Sequence, residues 1–187
     1  KKSPAKLRRK YLRFAKLTPC FVSTFFMVPS FFMGFEKRDD VWKNVPLFDE
    51  IDLLIVDESG QALADVSSAS FALSKQALIV GDTDQIEPVW NVPASVDIGN
   101  LKLSNLITNE QPYENFWLES GLLASSGNLM TVSQRRCAFH QYTKLQRGLY
   151  LTEHRRCFNN VINYCNDLVY KNTLEPLRGI PENTLPW

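Results

Sequence analysis

The chain has 187 residues, of which 44% are hydrophobic and 22% charged, with 21 Lys and Arg against 20 Asp and Glu. This composition is too apolar for a disordered chain and too poor in Gly and Pro for a fibrous one. The most apolar window, residues 20–35, is interrupted by two Ser, one Thr and one Pro, which is too polar for a membrane helix. We therefore expect no membrane partner. Four scattered cysteines do not suggest a disulfide scaffold, so we expect reduced thiols and a cytoplasmic location.

Basic residues are concentrated at the start of the chain. Residues 1–16 hold eight of the 21 bases and no acid, which leaves 13 bases against 20 acids in the remainder. Apolar residues at helical spacing predict an amphipathic helix from about Pro4 to Lys16. Its basic run has two interpretations, a binding surface for phosphates or an ordinary solvated helix face.

The central part of the chain alternates between predicted strands and helices. A β-branched and aromatic run predicts a strand at Cys20–Thr24. The apolar run Ile51–Val56 predicts a parallel strand covered on both faces, followed by a helix from Gln61 to Leu73. Ala77–Val80 predicts a second buried strand, which ends at Gly81.

The remainder of the chain is less regular. We predict a loop near Pro93–Asn105, helical patches near Phe116–Leu123 and Leu129–Gln141, and a short strand at Gly148–Leu151. A final helix is predicted from Asn159 to Tyr170. Strands alternating with helices indicate an α/β fold with a parallel sheet.

Polar side chains follow both apolar strands, and the carboxyl ends of parallel strands are where α/β sheets bind ligands. The first strand runs into Asp57 and Glu58, which could hold Mg²⁺ and polarise an attacking water, respectively. The second runs into Gly81 and then Gln85, whose amide can both donate and accept a hydrogen bond. The alternative is that both loops are ordinary polar turns.

Three segments together resemble superfamily 1 helicases, most closely the branch containing the nonsense-mediated-decay RNA helicase. DESGQ (57–61) resembles motif II, the Walker B element. GDTDQIEPV (81–89) resembles motif III, and LTEHRRC (151–157) resembles motif IV at the start of the second lobe. TPCFVST (18–24) resembles the phosphate-contacting motif upstream of motif II, and residues 121–135 resemble the connector of large bacterial members.

The resemblance implies a P-loop NTPase fold in which two RecA-like lobes bind ATP between them. It implies that Asp57 binds Mg²⁺, that Glu58 is the catalytic base, and that Gln61 and Gln85 contact the nucleotide. It also implies an arginine finger at Arg156, with Arg155 as the close alternative. Such a guanidinium neutralises charge on the transferring phosphoryl group. Ser23 and Thr24 are implied to contact the backbone of single-stranded DNA or RNA.

The phosphate-binding loop of such enzymes is missing. No GxxxxGK[ST] pattern occurs, and none of the eight glycines precedes a lysine. The later motifs V and VI are absent too. We therefore expect the central segment of a longer helicase, which requires the remainder of the helicase core and is inactive alone. Its expected parts are residues 1–100 from an incomplete RecA-like first lobe, 101–147 as connector, and 148–187 opening the second lobe.

Other interpretations stay open. The chain could be a non-catalytic nucleic-acid- or protein-binding module derived from a helicase. Trp90 could stack on a base, or it could pack beneath its loop. Cys137, His140, His154 and Cys157 form a C-x2-H…H-x2-C pattern that could bind zinc, the alternative being free cysteines and packed histidines. An aromatic cluster is expected in the core or in an interface, and its partial exposure would promote self-association. It comprises Phe25, Phe26, Phe31, Phe32 and Phe35.

Overall fold

The computed structural model describes residues 2–108 and 116–180. The chain divides into two compact units, Lys1–Val132 and Ser133–Trp187, and each is described by itself. Both are mixtures of short helices and two-stranded sheets, including parallel pairs, so the α/β expectation holds at this level. Parts of the predicted connector (109–115) and of the predicted second lobe (181–187) lie outside the described residues.

The basic amphipathic helix is present as α1, Pro4–Ala15. Proline at its first position suits a helix start because its fixed φ is helical and it lacks an N–H group that would go unpaired. Leu7 is buried, and the Tyr11 ring stacks on Phe32 with centroids 4.9 Å apart. Helix α1 thus packs through its apolar face on the first core cluster, which contains Leu7, Val28, Phe32, Leu47 and Leu73.

The predicted strand at Cys20–Thr24 is wrong. These residues are irregular, and a short helix, α2 (Val28–Phe31), follows them. Val22 is 96% exposed, and no strand in the described part of the chain pairs with this segment. A strand needs a neighbour to satisfy its backbone groups, and β-branched composition alone does not supply one.

A β-hairpin occupies a region for which the sequence predicted no strand. Strand β1 (Met33–Arg38) pairs antiparallel with β2 (Val41–Pro46), with Arg38 opposite Val41. The two turn residues, Asp39 and Asp40, both have positive φ, as a type I′ turn requires. The strands contain several charged residues, most of them exposed, so the sequence lacks the alternation of apolar and polar residues that normally indicates a hairpin.

The two apolar strands are present and parallel, but shorter than predicted. Strand β3 (Leu54–Val56) pairs with β4 (Ala77–Ile79), and Ile51 adds an isolated parallel bridge to Ser74. Helix α3 (Ala64–Phe71) connects them. Val56 is buried, but its neighbour Ile55 is 57% exposed. The expectation of strands covered on both faces is therefore wrong, because this sheet has only two strands among the described residues and part of its surface is exposed.

The predicted loop at Pro93–Asn105 is also wrong, since Ala94–Leu103 forms helix α4. Asp97 within this helix is buried, and its Oδ2 accepts the Ser125 N–H at 2.8 Å. Leu101 joins Ile107 and Leu123 in a second core cluster. Helix α5 (Phe116–Ser120) and helix α6 (Leu129–Arg136) follow, both within predicted helical patches.

The second unit is built on helix α7, Asn159–Leu168, close to its predicted position. Strand β5 (Glu153–His154) pairs in parallel with β6 (Glu175–Pro176). The strand predicted at Gly148–Leu151 is wrong, because only Gly148 forms an isolated bridge, to His140. No helix within residues 2–108 or 116–180 is long and apolar enough to cross a membrane.

Candidate functional site

The candidate site lies where the two parallel strands end. Strand β3 leads directly into Asp57 and Glu58, and β4 leads through Val80 and Gly81 into Asp82. Backbone bonds continue past both strands, with Val80 N–H donating to Val56 at 2.8 Å and Ser59 N–H donating to Val80 at 3.0 Å. The two loops therefore leave the sheet side by side.

Two glycines allow the loops to touch. A Cβ atom on Gly60 would lie 2.2 Å from the Asp82 carbonyl oxygen, and one on Gly81 would lie 2.5 Å from the Ser59 Oγ. Real Cβ atoms do not approach other atoms so closely. The segments that resemble motifs II and III are thus in direct backbone contact, and this contact requires glycine in both loops.

The two acidic residues after β3 differ in backbone conformation. Asp57 Oδ1 accepts the N–H of Glu58 at 3.0 Å, which orients this carboxylate across its own turn. Glu58 adopts the left-handed conformation, with φ 52° and ψ 41°, which is uncommon for a residue with a long side chain. A short 3₁₀ turn, Ser59–Gln61, follows at once. Asp57 and Glu58 are both exposed to solvent.

Behind the acids, Ser59 anchors the loop. It is fully buried, and its hydroxyl donates to the Met130 sulfur at 3.3 Å. The Leu129 N–H donates to the Ala62 carbonyl at 2.9 Å, so the beginning of α6 supports this turn. Sequence reasoning missed this support, because nothing local connects residues 59 and 130.

Gln85 is held by its own loop. Its Nε2 donates to Asp82 Oδ2 at 2.9 Å, while the other carboxylate oxygen of Asp82 accepts the Asp84 N–H at 2.9 Å. Asp82 therefore orients the exposed Gln85 amide, a role that sequence reasoning did not assign. The position of Asp82 directly after Gly81, in the same loop as Gln85, is the feature of the sequence that could have indicated this role.

Four of the predicted site residues line one cleft of about 370 Å³. They are Ser23, Thr24, Glu58 and Gln61. Phe25 and Phe26 also line it, and sequence reasoning had not placed them at a site. The surface of the cleft is mostly apolar, and Ser23, Thr24, Glu58 and Gln61 are the polar residues among those that line it.

Trp90 is partly buried, and its indole N–H donates to the Gly127 carbonyl at 2.9 Å. The hydrogen bond fixes the edge of the indole against another segment, and base stacking by the Trp90 ring stays a prediction. The bond ties the end of the motif III-like loop to the segment before α6.

In the second unit, the two neighbouring arginines differ. Arg155 pairs with Glu153 at 2.9 Å. Arg156 is exposed, and its guanidinium has no ion-pair partner among the described residues. Its backbone carbonyl accepts a hydrogen bond from the Arg178 guanidinium. The choice of Arg156 over Arg155 as the arginine finger stays a prediction, since the ion pair of Arg155 is exposed and therefore weak.

The zinc interpretation gains no support. Across the described ranges, no group of three or more His, Cys, Asp or Glu residues could hold a metal ion. His154 Nε2 accepts the Cys157 N–H at 3.0 Å, and His140 Nε2 contacts the Leu145 carbonyl at 3.0 Å. Both imidazoles therefore have local backbone partners.

Comparison of the chain with protein-family models, with curated proteins and with solved structures found no match.

Proposed function

We propose that this chain is the central segment of an ATP-dependent nucleic-acid helicase of the superfamily 1 type. It would combine part of an incomplete RecA-like lobe with the start of a second one. The observation that carries the proposal is the backbone contact between the loops that follow β3 and β4. It sets Asp57 and Glu58 beside the loop of Gln85, at the edge of a parallel sheet where nucleotides bind.

The residues present suit only part of a nucleotide site. A lone oriented carboxylate, Asp57, fits Mg²⁺, which usually keeps several waters and takes one or two carboxylates plus phosphates. The cradle for the α- and β-phosphates is not encoded in this sequence, so it has to come from elsewhere in the native polypeptide.

Each site residue then has a distinct role. Bound Mg²⁺ and ATP supply the reacting phosphoryl group and much of the charge compensation. Asp57 would hold the metal through its exposed carboxylate, and Glu58 would accept a proton from the attacking water. Gln85, which Asp82 orients, would hydrogen-bond to the terminal phosphate. Arg156, in the second unit, is the arginine finger that the helicase resemblance implies, and its guanidinium has no ion-pair partner among the described residues.

The test is made on the native polypeptide that contains this segment, immunopurified from its source. We expect a product several times larger than 21.4 kDa that hydrolyses ATP, whereas the 187-residue chain alone does not. Glu58→Gln should lower turnover by roughly 10²–10⁴-fold, because the general base is lost. Glu175→Gln, the same change at an exposed residue of β6, is the control. Unchanged turnover in Glu58→Gln, or robust hydrolysis by the short chain, overturns the proposal.

The second candidate is a non-catalytic binding module derived from a helicase, and the missing phosphate loop favours it. A native product of only 21.4 kDa would select this function. The cleft lined by Ser23, Thr24 and the two phenylalanines would then bind a ligand without any hydrolysis.

A further inference from the structure

Helix α1 carries four cations on one face. Lys6, Arg9, Lys10 and Arg13 are spaced i, i+3, i+4 and i+7, which places them within an arc of about 100° along about 10 Å of helix. The first turn of the helix contains no acid. We call these four residues together with Phe14 the basic face; they line a shallow groove of about 310 Å³.

The basic face is separate from the packing face of α1. Leu7 and Tyr11 face the core, and the only described ion pair of the helix, Arg8 to Glu50 at 2.7 Å, lies on another side. Within the part of the chain that the structure describes, none of the four cations of the basic face has an ion-pair partner. Like charges at these spacings destabilise a helix, and a bound polyanion would relieve that repulsion.

Aromatic groups accompany the cations. The Lys10 ammonium lies 5.2 Å from the centroid of the Tyr11 ring and 5.1 Å from that of Phe14. The Phe14 side chain is about half exposed at the end of the basic face. Cations that follow a phosphate backbone, with an exposed ring on which a base can stack, are the usual elements of a single-strand binding surface.

We propose that the basic face of α1 binds the sugar–phosphate backbone of single-stranded nucleic acid, with Phe14 stacking on a base. Its length matches about two or three consecutive phosphates. This proposal rests on the proposed function for the identity of its ligand. It assigns that ligand a surface that the helicase resemblance does not include.

The test is fluorescence anisotropy of labelled 20-nucleotide oligothymidylate and oligouridylate titrated with the 187-residue chain between 50 and 400 mM salt. We expect Lys6→Gln/Arg9→Gln/Arg13→Gln to weaken binding at least tenfold at 50 mM salt. The slope of log Kd against log salt should fall by about 2, because each phosphate contact to a single strand contributes about 0.7. Gln has a helix propensity close to that of Lys and Arg, so α1 should persist, which circular dichroism checks.

The matched control is Lys43→Gln/Lys102→Gln/Lys171→Gln, which removes three exposed charges outside the basic face. It should keep the affinity and the slope of the parent chain. Phe14→Leu should lower affinity about fivefold or more with no change in slope, because a ring is lost but no charge. The ratio of the two oligonucleotide affinities shows whether the face prefers DNA or RNA.

Equal losses in the triple variant and its control overturn the proposal, as does a triple variant that binds like the parent. Tighter binding to vesicles of phosphatidylserine and phosphatidylcholine than to either oligonucleotide also overturns it, in favour of a membrane surface. These results leave the ATPase test of the native polypeptide untouched. A parent chain that binds neither oligonucleotide at 50 mM salt also overturns this surface, whereas the ATPase test of the native polypeptide still decides the proposed function.

Discussion

Glu58 shows how single residues shape the candidate site. A non-glycine residue in the left-handed region carries a cost of order 1–2 kcal/mol, so surrounding contacts must maintain this conformation. The buried Ser59 and the glycine contact between the loops provide them. Strained backbone tends to cluster at functional sites, which agrees with the proposed role of Glu58.

Replacing a glycine by alanine should have opposite effects on stability at the loop contact and in a helix. Gly60→Ala should lower the free energy of unfolding by about 1–3 kcal/mol, because its Cβ meets the Asp82 carbonyl oxygen and the backbones must separate. Gly99→Ala, within helix α4 and with no atom near its new Cβ, should raise it by about 0.5–1 kcal/mol. Urea unfolding followed by circular dichroism measures both. Equal effects would show that the loops can separate without cost.

Tyr11 predicts a pH dependence of stability. Burial raises its pKa above the ordinary 10.0, and its hydroxyl donates to the Phe31 carbonyl at 2.7 Å. Because the raised folded-state pKa favours the protonated phenol, its stabilising effect is complete below about pH 10 and is lost as the pH rises through the folded-state value.

Tyr11→Phe should therefore be less stable than the parent by about 0.5–1.5 kcal/mol at pH 7, and the difference should shrink above pH 10. Urea unfolding at pH 7, 9 and 10.5 tests this expectation. Tyr164→Phe, at an exposed tyrosine of α7, is the control and should show a constant difference. A constant difference for Tyr11→Phe as well would mean that its phenol does not titrate differently in the folded chain.

At the scale of elements, buried polar side chains hold irregular segments in place. Asn166 on α7 is buried and binds Leu174 twice, with its Nδ2 donating to the carbonyl at 2.8 Å and its Oδ1 accepting the N–H at 3.0 Å. Asp97 on α4 is also buried, and its Oδ2 accepts one hydrogen bond, from the Ser125 N–H. These side-chain contacts hold segments of the chain that lack regular backbone hydrogen bonds of helices or sheets.

Replacing Asn166 should therefore loosen the connection between α7 and β6. Asn166→Ala should destabilise the chain by about 2–3 kcal/mol, since both backbone groups of Leu174 lose their partner. Asn166→Asp retains the acceptor only and should be intermediate. Asn163→Ala, at an exposed position of α7, should change stability by less than about 0.5 kcal/mol. Hydrogen exchange of the Leu174 amide provides the local measurement, and unchanged protection in Asn166→Ala would contradict the expectation.

At the scale of the whole molecule, the chain exposes much apolar surface. Ile55 and Leu78 are paired neighbours on β3 and β4, and each is more than half exposed. Of the predicted aromatic cluster, Phe32 is in the core while Phe26 is 78% exposed. Contiguous exposed apolar surface favours association with other chains.

We predict concentration-dependent self-association of the isolated chain, measured by sedimentation velocity. Ile55→Thr/Leu78→Thr should weaken it while keeping residues suited to strands, because this pair forms the exposed face of β3 and β4. Leu149→Thr/Leu151→Thr, the control, removes a larger amount of exposed apolar surface outside that sheet. If both double variants weaken association equally, the association is nonspecific.

Local patterns were sufficient for some elements. Helix α1 followed from apolar spacing and a proline start, and α3, α7 and the two parallel strands followed from their periodicity and apolar runs. The hairpin and α4 were not predicted, since charged residues interrupt the alternation of the strands and α4 lies in a segment predicted to be a loop. The segment at Cys20–Thr24 had strand composition but lacks a pairing partner. Local propensity fails where long-range contacts decide the outcome.

The sequence by itself determined which residues are candidates for the site, because an acid pair and a Gly-Asp-Thr-Asp-Gln loop follow the two apolar runs. The tertiary structure alone decided that these loops touch through Gly60 and Gly81, and that Ser23 and Thr24 share a cleft with Glu58. It also decided that the indole of Trp90 is bound to Gly127. The physical reason is that each of these contacts joins residues more than 20 positions apart, and neither composition nor periodicity encodes such distances.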